Sequence, residues 1–125
     1  ILDYKLYHAD ENFLSFAVYQ TETLASAYFE TYYYNINLKT NEAITLESIF
    51  GKNYKEIINT EISNQIEERK KNPDNTYFEG DQGFIGISDE QNFFLNEDGK
   101  VVIVFNKYEI APGYMGMQEF IIDVK

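Results

Sequence analysis

The sequence predicts an α+β fold: a largely antiparallel β-sheet with one long amphipathic helix packed on one face. Three observations carry this. Apolar residues alternate with a period of two in the first and last thirds of the chain. One central stretch instead repeats them at three-to-four spacing, the mark of a helix with a single apolar stripe. The order is strands, then helices, then strands, without the βαβ alternation that a parallel sheet requires.

Taken in order, LDYKLYH sets Leu2, Tyr4 and Leu6 against Asp3 and Lys5, and ADEN supplies turn residues. FLSFAVYQ puts Leu14, Phe16 and Val18 on one face, and YFETYYYNINL does the same for Tyr32, Tyr34, Ile36 and Leu38. Between these two strands TETLASA is a connector without Gly or Pro, and KTNE reads as a hairpin turn. Thr45 can cap a short helix, LESIF, which Gly51 stops. Asn53 followed by Glu56 predicts a capping box for the long helix, whose stripe is Tyr54, Ile57, Ile58, Ile62 and Ile66. Asn72-Pro73 ends it. Residues 76–87 show no clear period. QNFFLN, the turn EDG and KVVIVFN form a hairpin, and VVIVF, apolar on both faces, belongs in the middle of the sheet. QEFIIDV is the last strand.

A chain of 125 residues fits one domain, so residues 1–125 are read as a single unit burying roughly two-thirds of its unfolded surface. Its hydrophobic share of 44% rules out a disordered segment. The chain opens at Ile1 rather than Met and reads as an excised or processed piece. It shows neither a signal peptide nor an apolar run of the roughly 18 residues a membrane span needs. The net charge of −11 argues against nucleic-acid binding, which needs basic surface to displace counterions. That charge is unevenly placed: residues 6–38 hold no Lys or Arg, while Arg69, Lys70 and Lys71 cluster in the centre. Such a field speeds association with a basic partner, or it simply keeps the protein soluble.

Chemistry is nearly excluded by residue type. With no Cys there is no disulfide, thiolate nucleophile or Cys-ligated zinc. His8 is the only histidine, so Ser15, Ser26 and Ser88 lack an activating relay, and no two-His metal site can form. Asp81, Asp89 and Glu90 lie in a Gly-rich stretch without the ligand spacing of a calcium loop. Among 21 acidic residues, carboxylate pairs at glycosidase spacing arise by chance, so they point to no reaction. No catalytic residue, metal or cofactor is expected. What remains is surface: APGYMGM joins a rigid Pro112 to Gly113, Tyr114, Met115 and Met117. Residues of these types either anchor interfaces or fold back over the core edge, and the sequence leaves both open.

The succession NFFLNEDGKVVIVFNKYEIAPGYMGMQEFII resembles the C-terminal extracellular domain shared by RsiV-type anti-sigma factors and PdaC-type peptidoglycan deacetylases. Phe105, Tyr108, Glu109, Ile110, Ala111 and Pro112 fall on that family's F-x-x-Y-E-I-A-P pattern, with Gly116 and Phe120 after it. YYYNINLKTNEAITLESIF is similar to its Y-N-x-D-L-K-T-G-x-x-L-x-L-x-D-L-F, with Asn37 where Asp is common and Asn41 where Gly is common. Tyr77 and Phe78 have counterparts too. TETLASAYFE replaces a Gly/His-containing loop present in many members.

The resemblance implies a non-enzymatic domain on the extracellular face of the membrane, anchored by a transmembrane helix outside this chain. In the anti-sigma branch it implies binding of lysozyme, followed by regulated proteolysis and release of a sigma factor; a basic c-type lysozyme suits the acidic charge. In the deacetylase branch it implies a cell-wall or glycan-associated accessory module. Pro112, Gly113, Tyr114 and Met115 are the expected partner-binding loop, with Leu24, Ser26 and Tyr28 as a second contact.

Overall fold

The computed structural model describes residues 2–20 and 31–123. Its strands fall into two antiparallel sheets. The first is a meander of β1 (Leu2–Ala9), β2 (Phe13–Gln20), β3 (Thr31–Asn37) and the two-residue β4 (Glu42–Ala43). The second orders β5 (Phe93–Leu95), β6 (Val101–Phe105) and β7 (Gln118–Ile122). Along the chain, α1 (Leu46–Phe50) and α2 (Tyr54–Arg69) connect the first sheet to the second. The expected α+β class with antiparallel strands and one long helix is what forms.

The turns follow their residues. Asn41, where the related motif favours Gly, sits at φ 60°, a left-handed conformation that Asn tolerates better than most residues. Thr45 and Ser48 form a reciprocal capping box on α1, each side chain accepting the other's backbone N–H at 3.0 Å. Gly51, at φ 87°, closes that helix by donating to the Glu47 carbonyl. The capping box expected at Asn53 does not form, because Asn53 makes no side-chain cap bond. Its backbone, at φ −90° and ψ 21°, lacks the extended geometry that aims a cap side chain at the first turn. The Gly51 carbonyl takes the Tyr54 N–H instead.

The second sheet lies between α2 and the first sheet. Ile58, Ile62 and Ile66 of α2 pack with Val101, Ile103 and Phe105 of β6 and with Phe120 and Ile122 of β7. On the opposite side Phe94, Val102 and Val104 pack against Tyr7 and Tyr33 of the first sheet. β6 is therefore the central strand of the central layer, and all five of its residues are buried. That is why VVIVF is apolar on both faces.

The first sheet meets β5 through polar side chains. Ser15 Oγ donates to Asn35 Oδ1 at 2.6 Å and accepts the Leu95 N–H at 2.9 Å. Asn35 Nδ2 donates to the Phe93 carbonyl at 2.9 Å. Two side chains thus satisfy backbone groups on the open edge of β5, where an unpaired buried group would be costly. The pairing Leu14↔Ile36, Phe16↔Tyr34 and Val18↔Tyr32 keeps the expected apolar residues together on one face. That face points away from β5, while Ser15, Ala17 and Asn35 are the buried ones.

A bulge between Leu6 and His8 offsets β1. Beyond it, His8 Nδ1 lies 2.9 Å from the Asn96 carbonyl and Nε2 lies 2.9 Å from Asp10 Oδ2. Both ring nitrogens face acceptors, so the imidazolium satisfies both and His8 titrates above its ordinary value; the Asp10 bond is the larger cause. Asp10 is held down to about 2, first by the Phe13 N–H and then by His8.

Candidate functional site

The 106–117 connection between β6 and β7 is built in two steps. Glu109 folds the first turn: its N–H reaches the Asn106 carbonyl, and its carboxylate accepts the Asn106 N–H, each at 3.0 Å. Tyr108 within this turn stands at φ 74°, a strained conformation for a bulky side chain. Ile110 and Ala111 then return to the core, and the Ile110 carbonyl accepts the Phe78 N–H at 2.9 Å. Pro112 opens a second turn, a single 3₁₀ turn over Gly113–Met115, closed by bonds from Met115 N–H to Pro112 and from Gly116 N–H to Gly113. Gly113 lies directly under Tyr108: a Cβ there would come within 2.4 Å of the outer end of that ring and push it aside. YEIAP and GYM are thus packed on one another through that ring.

Tyr114 occupies the tip. It is 69% exposed, yet its hydroxyl is held between the Asp74 carbonyl at 3.1 Å and Thr76 Oγ1 at 2.8 Å. The ring is presented to solvent in a fixed place, which lowers the entropy lost when it is covered. Met115 points the other way and packs against the main core. Pro112 and Gly113 are partly buried, and Met117 is exposed.

Beneath the tip a buried polar knot holds the loop. Gln118 Oε1 accepts the Tyr77 hydroxyl at 2.6 Å and faces Arg69 Nη1 at 3.4 Å, while Gln118 Nε2 donates to the Met115 carbonyl at 3.0 Å. Arg69 also donates to the Glu119 carbonyl at 2.7 Å and lies 4.1 Å from the centre of the Phe120 ring. Arg69, Tyr77 and Gln118 are supporting residues that the sequence reading missed as a group. Tyr77 stands out in the sequence only by family pattern and Arg69 only as part of the basic cluster, because the three are separated by 8 to 49 positions.

Of the expected contact residues, Pro112, Gly113, Tyr114 and Met115 form one turn, as their adjacency requires. Leu24, Ser26 and Tyr28 lie in residues 21–30, outside the described residues. Four of the lysines are spent on neighbouring acids. Lys55 pairs with Asp89, Lys70 with Glu67 and Glu79, Lys71 with Glu68, and Lys100 with Asp123. Among the described residues no three His, Asp or Glu side chains are grouped to hold a metal ion. No described helix is long and apolar enough to cross a membrane.

Comparison with known proteins agrees with this loop-bearing fold. The family described as "Protein of unknown function (DUF3298)" matches residues 47–125. The anti-sigma-V factor RsiV of Bacillus subtilis (strain 168) is 38% identical over 105 residues, covering 80% of this chain and 37% of that protein. A crystal structure of a DUF3298 member from Bacteroides fragilis is 25% identical, with a TM-score of 0.72, over 97% of this chain and 49% of its own. The chain therefore spans well under two-thirds of the length of either relative.

Proposed function

We propose that this chain, which belongs to the DUF3298 family, is the extracellular sensor portion of an RsiV-like anti-sigma factor and binds a basic protein of the c-type lysozyme kind. Binding would expose the parent protein to regulated proteolysis and so free its sigma factor. The domain performs no catalysis in this role. The observation that carries the proposal is Tyr114: an exposed aromatic ring, tied by its hydroxyl, at the tip of a turn braced by Pro112 and by the buried Gln118. A protruding pre-positioned Tyr is the kind of side chain that dominates interface energetics. The net charge of −11 supports a basic partner by speeding encounter. In this proposal Tyr114, flanked by Pro112 and Gly113, forms the primary contact, Met115 of the expected set seats the turn on the core instead, and Leu24, Ser26 and Tyr28 form the second contact.

Calorimetric titration with a c-type lysozyme at two salt concentrations tests it. Heat at low salt, weaker binding at high salt, and an affinity loss of about 30-fold or more for Tyr114→Ala are expected. Tyr114 is exposed, so this variant stays folded. Absence of heat at low salt from folded protein would refute the proposal.

One observation favours a second reading, a non-catalytic glycan-associated module. A shallow cleft of about 390 Å³ beside α1 is lined by the rings of Tyr33 and Tyr54, the amides of Asn35, Gln91 and Asn92, and the carboxylates of Glu47, Asp89 and Glu90. Chemical-shift changes at these residues with peptidoglycan fragments, and none with lysozyme, would favour it.

A further inference from the structure

We propose that the outward face of the first sheet is a self-association surface, on which a second copy of this chain packs sheet to sheet. Its exposed members are Leu2, Tyr4 and Leu6 of β1 and Tyr32 and Tyr34 of β3, each between 46% and 74% exposed. The register sets Leu6 beside Phe16 and Phe16 beside Tyr34, and sets Tyr4 beside Val18 and Val18 beside Tyr32. The large side chains therefore form a continuous surface rather than scattered points. An antiparallel sheet with one wet face ordinarily turns its polar residues outward. Here the covered face mixes Ser15, Ala17 and Asn35 with the half-buried Tyr7 and Tyr33, and a second set of aromatic and aliphatic residues lies on the outward face.

Charge decides what kind of partner fits. In a chain of net charge −11, these outward positions of β1, β2 and β3 carry no Asp, Glu, Lys or Arg. Asp3 and Lys5 alternate to the other side, and Asp10, Glu11 and Glu42 lie at the turns and rim. A basic protein would have to desolvate its own cations against a face offering them no carboxylate, which is unfavourable. An identical copy brings the same uncharged, flat surface and leaves both sets of acids outside, so a two-fold pair is self-complementary. Two such sheets pack about 10 Å apart with strands about 30° from aligned, as in a β-sandwich. Only the exposed parts of Tyr4, Tyr32, Tyr34, Leu2 and Leu6 are available to be covered, less than the ~800 Å² per partner of a standard interface, so the pair is a weak one.

The proposed pair has a salt dependence opposite to that of the lysozyme complex. Two chains of like charge repel at long range, so salt strengthens the pair by screening. Sedimentation equilibrium from micromolar to several hundred micromolar protein, in low and half-molar salt, is the test. The mass should rise from 14.7 kDa toward twice that value, and at lower concentration in high salt. Leu6→Glu and Tyr34→Glu should weaken dimerisation at least about tenfold with circular dichroism unchanged; Leu6→Glu should leave melting unchanged, while Tyr34→Glu also gives up the stack on Phe16 and melts slightly lower. Tyr4→Gln is the milder variant and should act in the same direction, whereas Tyr114→Ala should dimerise like the parent. A monomer at the highest concentration in high salt overturns the proposal, whatever else covers this face. So does a dimer indifferent to Tyr34→Glu, because pairing through the open edge of β1 would behave that way.

Discussion

Gln118→Ala separates the support of the loop from its tip. Gln118 is 7% exposed, and so is Tyr77, whose hydroxyl it accepts at 2.6 Å. Truncation leaves that hydroxyl inside the protein with only Arg69 Nη1 near it, at 3.5 Å, a long contact. An unpaired buried hydroxyl costs ~1–3 kcal/mol, and loss of the 3.0 Å bond to the Met115 carbonyl adds about 1 kcal/mol. The expected destabilisation is about 2–4 kcal/mol, or a fall in Tm of roughly 10 °C for a chain of this size. Tyr77→Phe removes the orphaned group, so the double variant should cost less than the sum of the singles by at least about 1 kcal/mol. Chemical denaturation measures the cycle. Amide exchange adds the link to the loop, with Met115 and Gly116, whose N–H groups close the 3₁₀ turn, exchanging faster in Gln118→Ala. A loss below about 0.5 kcal/mol, or strict additivity with Tyr77→Phe, would show that the knot does not hold the loop.

Other consequences follow from the same bonds. Asn35→Ala should cost ~1–3 kcal/mol in urea unfolding, because it strands the Phe93 carbonyl and the fully buried Ser15 hydroxyl together. An effect no larger than that of an exposed substitution would show that the two sheets do not depend on this link. For His8 the sign is set by its raised folded value: its contribution is fully present below about pH 6.5 and is lost as pH rises through the folded value. The melting temperature should therefore drop between pH 6 and 8. As His8 is the chain's only histidine, His8→Gln should flatten that slope, and an unchanged slope would assign it elsewhere. Asp10, held down to about 2, contributes stability above its ordinary value, and this is lost as pH falls toward 2.

Much of the fold was legible because it rests on local rules. The Thr45 cap, the Gly51 stop, the stripe of Ile58, Ile62 and Ile66, and the hairpin around Gly99 each depend on residues within about one turn of one another. Asn53 misled because a capping box needs a backbone conformation as well as a residue pair, and the tight link from Gly51 to Tyr54 denies it. The candidate site was legible only in part. Pro112, Gly113, Tyr114 and Met115 are contiguous, so composition could mark them. The Asp74 carbonyl and Thr76 that fix Tyr114 lie 38 to 40 positions away and have no periodic signal.

By itself the sequence determined the order and type of the main elements, the central place of Val101–Phe105, and the absence of any cysteine. These follow from periodicity and residue type. Only the tertiary structure decided which side of each strand is inside. A period of two says that the faces of β2 differ, with Leu14, Phe16 and Val18 on one and Ser15 and Ala17 on the other; it cannot say which will be covered. Here Ser15 and Asn35 bond the edge of β5, and Tyr7 and Tyr33 on the same side of the sheet stack on Phe94. Ser15 and Asn35 therefore lie inside, and Leu14, Phe16 and Val18 lie on the outward face.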